Sequence, residues 1–294
     1  MLRWYTPKFK IMKSICITIT LSLLFFYSGA QGIKDKNLQT LVETEYAFAA
    51  MAKEENTRDA FMRYLSDHTI MIINAEISKG KKIWQDRKPD SSLLIWKPMV
   101  ADISASGDFG YTTGPSEYYP SRRQGEQVFY GSYITIWKKD AAMDWKMLLD
   151  IGVYPQPKPL LNSLKIPTLS ETPKAKIRNS RLELLDYEKK FRTSLSDTSE
   201  KTYNSLVSTE ARFLRVGLEP STTKEKIKEI MQKEIDKASY SLIDGATSYA
   251  GDLGYVYGKV ILTEKEKQTN GFFIRIYKKE NNKDWKVVLD AIHQ

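Results

Sequence analysis

The stretch GSYITIWKKDAAMDWKMLLDIGV, residues 131–153, decides the reading of this chain because it returns as GFFIRIYKKENNKDWKVVLDAIH at 271–293. Ten of the 23 positions are identical without a gap, far above what composition gives. Upstream, SGDFGYTTG at 106–114 matches AGDLGYVYG at 250–258, and further back ETEYAFAA at 43–50 resembles LDYEKKFRT at 185–193. The order of matches is the same on both sides, which reads as an internal duplication. Between the copies runs YPQPKPLLNSLKIPTLSETPKAK, residues 154–176, which holds five of the eleven prolines and no apolar periodicity. Such a segment is expected to be an extended linker. The boundaries that follow are a first domain at 35–153, a Pro-rich linker at 154–177 and a second domain at 178–294.

Each copy reads in the same way. An amphipathic helix opens it, with Leu38, Leu41, Val42, Tyr46 and Phe48 in the first copy and Leu182, Leu185, Phe191 and Leu195 in the second. A shorter helix follows, TRDAFMRYL or SEKTYNSLV, with Thr57 and Ser199 as expected N-caps. Next come a first strand (HTIMIIN or ARFLRV), a third helical segment and at least three more strands, among them SLLIWKPMVADIS read as one strand. The last two are joined by KKDAAMD or KKENNKD, polar turns of the kind an antiparallel hairpin needs. Helices first and an antiparallel sheet afterwards predict an α+β fold.

The N-terminus reads as an export signal. Arg3, Lys8, Lys10 and Lys13 precede the apolar run Ile15 to Tyr27, and small residues stand before Gln31. That run falls short of the roughly 20 residues that span a bilayer, so residues 1–30 are expected to be removed, with Met12 as an alternative start. A periplasmic or extracellular protein without stable membrane insertion follows. Residues 1–30 carry four positive charges and no acidic ones, so the net charge falls from +9 to +5 without them. The remaining Lys and Arg interleave with Asp and Glu, as in KEKIKEIMQKEIDK, the pattern of a solvated helix face and not of a nucleic-acid partner. Cys16 is the only cysteine and lies inside the signal, which leaves neither disulfide nor thiol nucleophile. The two histidines, His68 and His293, have no second ligand nearby, so no metal or other cofactor is expected.

The sequence order of Gly80 with Trp84, Trp96 with Pro98, Ser106 to Gly114, Gly131 with Tyr133 and Trp137, and Trp145 to Gly152 resembles the NTF2-like superfamily, in particular its SnoaL-like, DUF4440-type members. The second copy keeps GDLGY and WKVVLD but has no Trp where the first has Trp84, Trp96 and Trp137. The resemblance implies two tandem cones, each a curved sheet wrapped round about three helices and open at one end. It also implies several functions, because this superfamily hosts isomerases, dehydratases and binding domains alike.

Asp150 is the sharpest candidate for chemistry. A carboxyl enclosed by apolar walls is raised in pKa and serves as general acid or base. Strand alternation, however, puts Trp145, Met147, Leu149 and Ile151 on one face and Lys146, Leu148, Asp150 and Gly152 on the other. A structural ion pair with Lys146 is therefore the competing reading. The aromatic set of the first copy, Tyr46, Trp84, Trp96, Tyr111, Tyr133 and Trp137, suits a small apolar or amphipathic ligand, and His68 would stand at the pocket mouth. Three functions stay open: ligand binding in the first domain beside a scaffold-like second; an isomerase or dehydratase using Asp150 with Tyr111 or Tyr133 as hydrogen-bond donor; and an interaction module in which the cones pack as an intramolecular pseudo-dimer or the chain forms a homodimer.

Overall fold

The computed structural model describes residues 33–73, 76–88, 90–121, 127–159, 164–166, 180–197, 199–280 and 284–294. The expected signal peptide, much of the linker and the turn residues 281–283 lie outside the described residues. The fold is α+β, built from two sheets each preceded by helices.

In the first half, helices α1 (Lys36–Glu54) and α2 (Thr57–Tyr64) lead into β1 (Leu65–Ile73), β2 (Glu76–Lys79), α3 (Gly80–Asp86), β3 (Leu93–Trp96), β4 (Val100–Ile103), β5 (Phe109–Tyr119), β6 (Phe129–Lys139) and β7 (Trp145–Val153). The second half repeats the plan with α4 (Ser180–Ser194), α5 (Glu200–Leu206), β8 (Val207–Leu214), α6 (Lys224–Glu234), β9 (Ala238–Thr247), β10 (Leu253–Glu264), β11 (Lys267–Glu280) and β12 (Asp284–His293). Helix α1 begins where Asp35 accepts hydrogen bonds from the amides of Asn37 and Leu38, so its carboxylate fills two orphan donors of the first turn. It buries the stripe Leu38, Leu41, Val42, Glu45, Phe48 and Ala52. The cap of α2 is Asn56 and not Thr57: the Asn56 side chain accepts the amide of Asp59 at 2.8 Å. Ser199 caps α5 as expected.

The strands lie in the order β2-β1-β7-β6-β5-β3 in one sheet, with β4 also on β5, and β8-β12-β11-β10-β9 in the other. Neither sheet is wholly antiparallel, contrary to the sequence expectation. β1 runs parallel to β7 and β8 parallel to β12. The pairing strands are separated by most of a half, so no hairpin sets their direction. The stretch 92–104 is two strands and not one. It breaks at Lys97–Met99, around Pro98, which has no N–H for the ladder.

One local irregularity reorders the faces. Ile136 pairs with Leu149 and Trp137 with Met147, so Leu148 is an unmatched bulge residue. Val288 is its counterpart, because Ile276 pairs with Leu289 and Tyr277 with Val287. A bulge shifts the inside-outside alternation by one. Trp145 and Met147 accordingly pack against the helices, while Leu149, Ile151 and Val153 lie on the opposite face. Asp150 pairs with Thr135 and returns to the helix side, which corrects the uninterrupted alternation read from sequence.

Each sheet has a core against its own helices, and a third core joins the two sheets. There Phe109, Tyr111, Ile134 and Leu149 meet Leu253, Tyr255, Ile274 and Leu289, all buried. Full burial of such a side chain contributes about 1.5–3 kcal/mol. The contacts at the rim are reciprocal: the Ala105 amide donates to Asp252 at 2.9 Å and the Tyr249 amide to Asp108 at 3.3 Å. These are matching positions of the sequence repeat. A further tie is not reciprocal: Lys278 holds both oxygens of the buried Asp102 at 2.6 Å. The start of the linker is also fastened. Gln156 accepts from Ser132 Oγ at 2.6 Å and donates to the carbonyl of Arg215 at 3.2 Å, bridging the halves.

Candidate functional site

The first half encloses a cavity of about 370 Å3 between its helices and its sheet, with Phe61, Trp84, Leu94, Tyr118, Asp150 and His293 among its walls. A recess of about 30 Å3 lies deeper, lined by Phe48, Trp96, Tyr133 and Thr135, and Asp150 borders both spaces. Strand pairing explains the placement. Thr135 and Asp150 are cross-strand neighbours on the helix side, as are Tyr133 and Gly152. A side chain at Gly152 would strike the Tyr154 ring, which crosses the strands at this point, so glycine is required for the close approach.

Asp150 keeps one hydrogen bond, received from Thr135 Oγ1 at 2.7 Å. Burial pushes its carboxyl up to about 6, a rise that the Thr135 bond only partly offsets. Lys146 is not its partner: that ammonium reaches the carbonyl of Arg63, in the last turn of α2, at 3.1 Å. The Tyr133 hydroxyl is buried and has no hydrogen-bond partner among the described residues. Burial, with Glu45 nearby, holds it well above the usual phenol range. A protonatable carboxyl and an unused phenol therefore share one apolar recess.

A second carboxyl, unforeseen from the sequence, organises the aromatic set. Glu45 is fully buried and accepts from Trp96 Nε1 at 2.5 Å, Thr112 Oγ1 at 2.5 Å and Trp137 Nε1 at 3.0 Å. Burial raises it to about 7 against the lowering effect of those donors. Its signal was legible: Glu45 stands seven residues after Leu38 and three before Phe48, on the buried stripe of α1.

The aromatic residues expected at a ligand site separate into three groups. Trp84 and Trp96 line the cavity or its recess, with Trp84 stacked on Phe61 at 4.1 Å. Trp137 is fully buried and fixes Glu45, and Tyr46 is partly buried against the helix core; neither lines these two spaces. Tyr111 faces the other sheet, in the core between the halves, so it is not available as a donor to a ligand in this cavity. His68 is exposed on β1 and lines neither space, contrary to its expected place at the mouth. The histidine that does line the cavity is His293, from the second half, whose Nδ1 lies 2.7 Å from the Gly152 carbonyl. A carbonyl only accepts, so Nδ1 carries the proton. Burial lowers the pKa of His293 despite that bond. Among the described residues no three His, Cys, Asp or Glu side chains are grouped to hold a metal ion.

The second half places a different set at matching positions. Arg275 stands where the first half has Thr135, Tyr277 where it has Trp137, and Glu188 does for Tyr277 what Glu45 does for Trp137. Matching Glu45 to Glu188 and Phe48 to Phe191 moves the helix alignment one residue from the sequence-based pairing. Arg275 is fully buried, bonds Asp290 and reaches Glu188 at 2.6 Å. Burial would raise the Asp290 carboxyl, but Arg275 and Arg215 hold it below its ordinary value. The lost tryptophans do not leave a solid half: a cavity of about 480 Å3 opens beside Arg275 and Asp290.

No known family's sequence profile matches the chain. No curated protein matches it either. Among solved structures it is similar to an NTF2-like protein from Cytophaga hutchinsonii, at 20% identity over 40% of this chain and 98% of that one, with a TM-score of 0.33. It is also similar to an NTF-2 like protein of unknown function from Shewanella oneidensis, at 10% identity over 38% of this chain and 97% of that one, with a TM-score of 0.31. A third is a ketosteroid isomerase-like protein from Erwinia carotovora atroseptica, at 12% identity over 40% of this chain and 95% of that one, with a TM-score of 0.30.

Proposed function

We propose that the chain is an exported tandem of two NTF2-like, SnoaL-like cones and that the first binds a small amphipathic molecule with its polar end at Asp150. The tandem reading draws on two features: the shared order β1-β7-β6-β5 and β8-β12-β11-β10 in the two sheets, and the same bulge at Leu148 and Val288. The halves then form an intramolecular pseudo-dimer through their sheets, as the reciprocal Asp108 and Asp252 contacts support. One observation carries the binding reading: a partly buried carboxyl with a single hydroxyl partner, beside an apolar cavity of about 370 Å3. That volume lies in the range of about 300–1,000 Å3 used by ligand pockets. Incubation with metabolite and lipid extracts, repurification and mass spectrometry test it. Wild type is expected to retain a small molecule that Asp150→Ala loses; if no extract component is retained, the reading fails.

A second reading rests on the Tyr133 hydroxyl. With Asp150 as base and Tyr133 as donor, the recess suits proton transfer at a carbon next to a carbonyl, as in an isomerase or dehydratase. Asp150 would take the proton, the electron pair would move toward the carbonyl oxygen at Tyr133, and Asp150 would return the proton elsewhere. Deuterium incorporation from D2O into a panel of cyclic ketones, followed by NMR, is expected for wild type. Incorporation that persists in Asp150→Asn would remove Asp150 from that role.

A further inference from the structure

The cavity of the second half differs in kind from that of the first. Its walls include Phe213, Met231 and Tyr240, with Arg192, Arg215 and Arg275 set among them. Its volume, about 480 Å3, exceeds that of the first-half cavity.

The carboxylates and guanidinium groups there are tightly paired, yet some guanidinium N–H groups stay uncommitted. Each carboxylate oxygen lies close to a cation or a phenol. Glu188 receives Arg275 on one oxygen and Tyr277 on the other. Glu234 receives Arg215 on both, at 2.6 and 2.9 Å. Asp290 receives Arg275 on one oxygen, and its other oxygen lies 2.6 Å from Arg215 Nη2 as an ion pair without a hydrogen bond. The donors are not exhausted. A guanidinium has five N–H groups, and Arg275 commits Nε and Nη1 while Nη2 has no partner among the described residues. Arg192 gives Nη1 to the Tyr240 carbonyl at 2.6 Å and its buried Nε faces Glu188 at 3.5 Å as an ion pair, while Nη2 has no hydrogen bond among the described residues. Lys189 stands at the rim and, among the described residues, pairs only with the exposed Asp186.

The Arg275 fork is also fixed in advance. Its guanidinium carbon lies 4.9 Å from the Phe191 ring, 4.6 Å from Tyr240 and 4.9 Å from Phe273. Three aromatic faces and two carboxylates leave it little freedom, so a ligand gains its contact without ordering the side chain. A planar fork with unused N–H groups matches a carboxylate.

We propose that the second half is a binding site for a small monocarboxylate with an apolar body, its carboxylate at Arg275 and Arg192 and its tail against Phe213 and Met231. The site is independent of the reading given to the first half. It replaces the scaffold role that the missing tryptophans imply, because the Thr135-to-Arg275 difference between the halves changes what the cavity offers from a carboxyl to a guanidinium.

Calorimetric titration of the full chain with decanoate, methyl decanoate and decanol tests this. Decanoate is expected to bind about tenfold or more tightly than either neutral analogue, the margin of a charge-assisted contact. Arg192→Gln, a partly exposed position, should reduce decanoate affinity several-fold while leaving the neutral analogues unchanged. Arg275→Thr combined with Asp290→Asn removes the fork without leaving Asp290 charged, and should abolish the preference for the acid. Equal binding of acid and ester, or a decanoate affinity that survives Arg192→Gln, would overturn the proposal.

Discussion

Asp150 and Asp290 stand at matching places on the last strand of their sheets, each opposite the residue 15 positions before it, yet only Asp290 meets a guanidinium there. The difference predicts opposite responses to the same substitution. Asp290→Asn leaves Arg275 and Arg215 short of a counter-charge in a buried place, and is expected to cost about 3–5 kcal/mol. Asp150→Asn removes a carboxylate that burial disfavours, so at pH 8 the variant should be as stable as wild type or more stable, by at most about 3 kcal/mol. Urea unfolding of both variants checks the pair; equal destabilisation would contradict it.

The raised carboxyls also set a pH dependence. Asp150 goes from 3.8 to about 6 and Glu45 from 4.5 to about 7, both through burial. Between the ordinary and the raised values the folded chain binds more protons than the unfolded chain, so their contribution to stability falls as pH rises. It is fully present below about pH 4 and lost above about pH 7. The wild-type minus Asp150→Asn difference in unfolding free energy should therefore decline from pH 4 to pH 6.5 and then level off. Taking the difference removes the opposite trend that Asp290 and other depressed carboxyls impose. Denaturation midpoints at five pH values measure it, and a flat difference would argue against a buried Asp150.

Much of this arrangement was legible in the chain. The repeat located both hairpins, and periodicity located the helices, because burial on one face imposes a period that local residues obey. What failed was whatever depends on a single backbone irregularity or on the other half. The bulge at Leu148 turns Asp150 to the helix side, and no residue type announces it, since Leu fits a regular strand equally well. Tyr111 has the composition of a pocket residue but packs against the second sheet, a contact between residues far apart in sequence. Glu45 could have been found, because a glutamate on an apolar helical stripe needs partners, and indole N–H groups were the available donors. Arg275 opposite Thr135 was also visible in the ungapped repeat, although its consequence for the cavity was not.

Glu45 tests the claim that the tryptophans of the first half are tied to one carboxyl. Trp96, Trp137 and Thr112 all donate to it. Glu45→Gln keeps size and shape but turns an NH2 group toward an N–H or O–H donor, leaving at least one buried donor unpaired. The expected loss is about 1–3 kcal/mol per unsatisfied group. Indole fluorescence should shift as well, because two of the six tryptophans lose a charged partner. A variant with unchanged stability and spectrum would mean that packing alone holds the rings.

The Asp102–Lys278 pair tests how the halves are joined. Both side chains are buried, and they come from different sheets. Lys278→Met leaves Asp102 charged among apolar groups, so it should destabilise by about 3–5 kcal/mol. Asp102→Asn added to it removes the stranded charge while the amide oxygen still accepts the Ile103 N–H that Asp102 accepts at 2.8 Å. The double variant should therefore recover at least half of the loss. Single and double variants compared by urea unfolding, with the m-value followed to detect separate unfolding of the halves, decide the matter. If Lys278→Met is neutral, the pair lies in water and the sheets are not joined there. If the double variant recovers nothing, Lys278 contributes through packing of its stem and not through the charge of Asp102.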